Sequence, residues 1–215
     1  MTVIFDPFFA AAPRPSLPHA TSPFRARGVV YRADLERMAV SVRGGVEAVL
    51  ATAADPALAA YFNQKFSPSG WYDIFALSTL ARVCARMRGI TFTQYVNEAA
   101  HHYADVALQG FSGIVLRALS HESIALWIPR VSAWFNDFGE MQTHVAAPGL
   151  VRGVRTGLPR YVVLGWAQTA MEFTEEVLER AGAGDVRVHP LAPEPDGERA
   201  GIDLYRVPFE IRWRA

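Results

Sequence analysis

The chain has 215 residues, of which 51% are hydrophobic and 20% charged, and its 21 basic residues cancel its 21 acidic ones. That apolar content suffices for a packed core and excludes a disordered chain. The even balance, with no run of like charges, leaves no electrostatic footprint for a nucleic-acid backbone or an anionic membrane surface.

Residues 1 to 25 read as an extended arm, because Pro7, Pro13, Pro15 and Pro18 deny the backbone donors and helical freedom. The arm has no basic leader and carries Asp6, unlike a secretory signal. Its Phe5, Phe8, Phe9 and Phe24 are expected to pack across the domain or a partner subunit. Residues 26 to 215 are expected to form a single domain. RGVVYR, 27 to 32, has strand composition, and VEAVLATAADPALAAYF reads as two short helices parted near Asp55-Pro56. SPSG leads into a helix expected from Trp71 to Arg88, with Gly89 placed to cap its end.

Thr91 with Gln94 three residues on matches a capping box for the next helix. Its inward row is Phe92, Val96, Ala99, Tyr103, Ala107, Phe111, Ile114 and Ala118, and Gly110 on that row could admit a close neighbour. Ser120 starts another helix, within which Pro129 is expected to begin a new segment. Pro148-Gly149 separates MQTHVA from LVRGVRT as a hairpin, and Pro159 opens a helix through about Ala181. DVRVHPL and IDLYRVPFEIRW alternate as half-buried strands with PEPDGER as the loop between them. The expected class is α+β: a helix-rich N-terminal half packed on a C-terminal antiparallel sheet in ββαββ order.

RGVV, SPSGWYDIF, WFNDFGE, PGLVRGVRTGLPRYVVLGW, AGAGDVRV and LYRVPFEIRW resemble motifs of a large paralogous group of myxobacterial proteins of unknown function. That group is similar in turn to the fold of haem-nitric-oxide-binding domains, four-vinyl-reductase domains, TRAPP small subunits and aromatic-sensing domains of transcription activators. The resemblance implies helices on an antiparallel sheet, sometimes enclosing an apolar ligand pocket, and carries no function with it. The Tyr-x-Ser-x-Arg signature of the haem-nitric-oxide domains is missing, so haem is not supported and the cofactor is left unknown.

The single cysteine, Cys84, excludes an intrachain disulfide framework and a multi-cysteine zinc site, which makes the cytoplasm the expected compartment. No stretch long enough to span a bilayer is free of charges and breakers. Within NEAAHHYAD, Glu98, His102 and Asp105 share one helix side, as a site of one histidine and two carboxylates requires. An amphipathic helix places polar residues there without any metal, so these three are weak ligand candidates. Nucleophile elbows and phosphate loops are missing. The leading expectation is a non-catalytic binding or sensory module for a small hydrophobic ligand, with a homodimer as one expected assembly. Its pocket would be bounded by Tyr95, Ala99, His102 and Tyr103 of the central helix and by Trp71, Phe75, Trp127, Trp134, Phe135 and Phe138. The alternatives are a protein-interaction scaffold with a solid core and, third, a metal-assisted or acid/base enzyme centred on Glu98, His102 and Asp105.

Overall fold

The structure, a computed structural model, describes residues 12–108 and 119–214. The expected inward positions Phe111, Ile114 and Ala118, with Gly110 and the arm's Phe5, Phe8 and Phe9, therefore lie outside the described residues, as do the side chains of Asp105 and Ala107.

Phe24 is buried in the main core, wedged against Phe75 and Phe138 at ring separations of 5.7 and 5.8 Å. Directly after it comes a short strand, β1 (Arg25–Arg27), and then helix α1 (Gly28–Ser41). The strand expected over 27 to 32 is thus a helix for nearly its whole length. Val30, Asp34 and Met38 are buried at a four-residue spacing, a helical row long enough to override the β-branched pair that begins it. Gly28 marks the changeover. A methyl group there would lie 1.9 Å from the Ser67 carbonyl oxygen, because the 67–70 turn is tied to α1 by Gly28 N–H donating to Gly70 O at 2.9 Å. Gly28→Ala is expected to cost at least about 1–3 kcal/mol, the range for forced overpacking, measured as a fall in the urea midpoint.

Helices α2 (Gly45–Ala53) and α3 (Pro56–Phe62) follow as expected, the second capped by Asp55, whose carboxylate accepts from Leu58 N–H at 3.0 Å. Trp71–Asp73 is not the first turn of a helix but strand β2, paired antiparallel with β1 through Arg25 and Asp73, Ala26 and Tyr72, and Arg27 and Trp71. Asp73 then caps α4 (Ile74–Met87), accepting from Phe75 N–H at 2.8 Å. Gly89, at φ +67°, closes that helix as expected. The capping box forms at α5 (Phe92–Leu108): Gln94 N–H donates to Thr91 Oγ1 at 3.1 Å and Thr91 N–H to Gln94 Oε1 at 2.9 Å.

Pro129 lies inside α6 (His121–Phe135) and starts nothing. Buried Ile124, Ala125 and Ile128 hold the turns leading into the proline on one packed face, so the helix continues with a hydrogen bond missing. Strands β3 (Met141–Ala147) and β4 (Leu150–Pro159) form the expected hairpin. Pro159 ends β4 opposite Leu204 and does not open the helix; α7 (Val163–Arg180) begins four residues later. Strands β5 (Gly184–Pro190), β6 (Glu194–Arg199) and β7 (Ile202–Arg214) complete a five-stranded antiparallel sheet, β3-β4-β7-β5, with β6 also on β7. The segment expected as a loop is β6, joined to β7 by a turn with Ala200 and Gly201 both at positive φ, 54° and 74°. The class is α+β as expected, in ββαβββ order. The main core lies between this sheet and the helices, and a second core, with Met38, Leu58, Leu80, Cys84 and Tyr95 buried, joins α1 through α5.

Candidate functional site

Val151, Gly153 and Arg155 alternate along the face of β4 that lies opposite Ile211, Phe209 and Val207 of β7. That row looks into the core, yet it ends in an arginine. Arg155 is 3% exposed. Its Nε donates to the Gly139 carbonyl at 3.3 Å, while Nη2 is buried without a partner among the described residues. Burial, with no compensating carboxylate among the described residues, pushes its pKa down to about 10.

In front of this guanidinium is a cleft with about 550 Å³ of empty space including its open mouth. Val30 of α1 and Tyr103 of α5 form one side, and Ile128, Val131 and Phe135 of α6 another. Trp166, Ala170 and Phe173 come from α7 at i, i+4 and i+7, and Met141 from β3. The polar groups are Arg155, Ser132, Thr169 and Asn136. Thr169 donates its hydroxyl to the Gly165 carbonyl at 2.8 Å, and Asn136 Nδ2 donates to the Ser132 carbonyl at 3.2 Å. The Asn136 Oδ1 is buried with no partner among the described residues.

Tyr103, Trp166 and Thr169 also line a second, narrower cleft that reaches Asp34, Tyr95 and Ala99. Asp34, 2% exposed, anchors a polar cluster there. It accepts from Tyr95 Oη at 2.9 Å and from Arg37 Nη2 at 2.7 Å, and the Arg37 guanidinium lies 3.7 Å from the Tyr95 ring centre. Burial, then the neighbouring Asp34 charge, pushes both the Tyr95 and Tyr103 phenols up, so both stay neutral donors.

Of the residues expected to bound a pocket, the structure brings together Tyr103 and Phe135 at the main cleft and Tyr95, Ala99 and Tyr103 at the second. Phe75 is filled-in core, packed against Phe24 and Tyr161. Phe138 packs against Phe24 and Trp166, behind the cleft wall. Trp71 lies under the Arg27 guanidinium, 4.0 Å from its ring centre. Trp127 is half-buried on α6, and Trp134 is 55% exposed, edge-on to Phe135. His102 lines neither cleft, and its Nε2 is buried without a hydrogen-bond partner among the described residues. Glu98 is taken by Arg88, whose Nη1 and Nη2 donate to it at 2.5 and 3.2 Å. His101 meets Glu176 of α7 at 3.0 Å. Among the described residues, no trio of His, Cys, Asp and Glu converges on a metal-sized site.

The sequence reading missed Arg155, Asn136, Met141 and the Trp166 row. Two signals were available: an arginine at the inward parity of an alternating strand, and large apolar residues at helical spacing in α7. Among the described residues no helix is long and apolar enough to cross a membrane.

No family model and no curated protein matches the sequence. Solved structures do match. A Cs H-NOX mutant carrying 4-cyano-L-phenylalanine superposes with a TM-score of 0.63 at 10% identity, covering 88% of this chain and 97% of that one. Fe(II) unliganded H-NOX from K. algicida gives 0.60 at 10%, with the same coverage. An H-NOX family structure concerned with haem distortion gives 0.61 at 9%, over 88% of this chain and 95% of the other. At such identities the likeness concerns the backbone alone, and on that ground the chain has the fold of the H-NOX proteins.

Proposed function

We propose that this chain is a sensory or carrier module that binds a small, largely apolar molecule in the cleft between α6, α7 and the sheet. The observation that carries this reading is the cleft itself: apolar side chains from five elements surround a few unmatched polar atoms, the composition of a ligand pocket rather than of a filled core. The shared fold of the H-NOX proteins, one of which is described with haem, supports a ligand at this level of architecture.

Haem itself does not fit the residues present. Haem iron is held by histidine, cysteine thiolate, methionine or tyrosine. The described residues lining the cleft include neither histidine nor cysteine, and Tyr103 is kept as a neutral phenol beside Asp34. Met141 would be left as a lone thioether donor.

The test uses 1-octanol as a neutral apolar probe, followed by calorimetry and by tryptophan fluorescence, since Trp166 forms part of the wall. Wild type is expected to bind it saturably. Ala170→Leu, which fills the cleft from α7, is expected to weaken binding by about tenfold or more, the effect of losing most of a small ligand's burial. Its circular dichroism should be unchanged. Equal affinity in the two proteins, or no saturable binding in either, would reject the cleft as the site.

A further inference from the structure

Resting on that reading of the cleft, we infer that its ligand is an amphipathic carboxylic acid whose apolar body lies between α6 and α7 and whose carboxylate pairs with Arg155. An arginine on an inward strand position needs a reason, because a buried cation without a counter-charge is among the least favourable groups a core can hold. Arg155 stands opposite Val207 in a row otherwise made of Val151, Gly153 and their apolar partners on β7. Among the described residues it pairs with no acidic neighbour, its hydrogen bond is the long one to Gly139, and Nη2 has no acceptor.

The guanidinium is therefore incomplete without an anion, and Arg155 lines both the ligand cleft and a smaller cavity that shares Met141 and Ala170 with it. Its planar fork is matched to a carboxylate, with which it makes paired charge-assisted hydrogen bonds. The other unmatched atom of the cleft among the described residues, Asn136 Oδ1, is an acceptor and offers a carboxylate nothing, so the carboxylate's place is at the guanidinium. The remaining surface comes from Ile128, Phe135, Trp166 and Phe173, which offer a small inorganic anion nothing and a hydrocarbon chain or ring a great deal. Burial lowers the basicity of Arg155 to about 10, which leaves it fully charged at neutral pH and ready to pair.

The experiment compares octanoate, 1-octanol and acetate by calorimetry at pH 7 with the full chain, Arg155→Met and Arg155→Lys. Wild type is expected to bind octanoate about tenfold or more tighter than 1-octanol, the usual worth of a charge-assisted hydrogen bond in a dry site, and acetate not measurably. Arg155→Met should lose that preference, with circular dichroism unchanged to show that it folds; Arg155→Lys should retain part of the preference. If wild type binds octanoate and 1-octanol alike, or if Arg155→Met keeps the preference, the acid is overturned and the apolar cleft stands. Failure of both long-chain probes in wild type removes the cleft reading and this inference together, and acetate binding as well as octanoate removes the amphipathic ligand.

Discussion

Asp34→Ala is expected to destabilise the fold by about 3–5 kcal/mol, the cost of breaking a buried charge pair by removing one member. Asp34 is the acceptor on which a whole cluster depends. Without it, the Tyr95 hydroxyl loses its partner and Arg37 is left beside Glu98, 3.8 Å away and half-exposed. Burial works against the Arg37 charge, and the Asp34 carboxylate with the nearby phenols reverses the balance, so the guanidinium stays protonated and cannot escape by losing its proton. Urea unfolding is the measurement, with the loss read from the midpoint at constant m. Asp34→Asn, which keeps an acceptor for the phenols but not the charge, should fall between. The double variant Asp34→Leu/Arg37→Leu should recover a good part of the loss, because it removes both charges. A loss under about 1 kcal/mol for Asp34→Ala would mean that the cluster is solvated after all. The effect should extend to the cleft, since Tyr103 divides the two cavities with its phenol beside Asp34.

Arg155→Met is expected to act in the opposite direction and stabilise the free protein. A guanidinium whose pKa falls on folding from its ordinary, much higher value to about 10 carries a cost on the order of 3 kcal/mol. The folded pKa lies below the unfolded one, so the folded state binds fewer protons between those values and stability rises with pH only there. Through the neutral range both states are charged and the full cost is present. Methionine fills much of the same volume with no charge to desolvate. The melting temperature should rise by about 5–10 °C for a domain of this size, in the same variant that loses its preference for octanoate. A binding residue that weakens the unliganded fold is the usual exchange between stability and function. Unchanged or lower stability in Arg155→Met would show that Arg155 is already satisfied in the free protein.

Octanoate should then stabilise wild type more than Arg155→Met at equal concentration, since a ligand that binds only the folded state adds RT ln(1 + c/Kd) of stability at free concentration c, which grows as Kd falls. Thermal shift gives this readout without reference to any activity.

What could be read in the chain follows the range of the interactions concerned. The capping box at Thr91 and Gln94, the Gly89 stop, the Asp55-Pro56 break and the Pro148-Gly149 turn are each set within a few residues, and each stands where the sequence puts it. So do the alternating strands β5 and β7, whose inward sides must be apolar, and these together carried the α+β class. The pairing of 25–27 with 71–73 had no such signature: three residues on either side become strands only because chain ends distant in sequence meet. Edge strand β6 is exposed along almost its whole length, so no hydrophobic alternation announces it. Aromatic content by itself could not sort Phe75, which fills the core, from Phe135, which borders the cleft, or from Trp134, which faces solvent. Sequence determined the local stops, caps and turns and the division into a helical half and a sheet, while the 27–32 and 71–73 segments took their state from tertiary packing. Only the tertiary structure decided that Arg155 meets no anion among the described residues, because a missing partner is a property of everything packed around a side chain and of no segment of the chain alone.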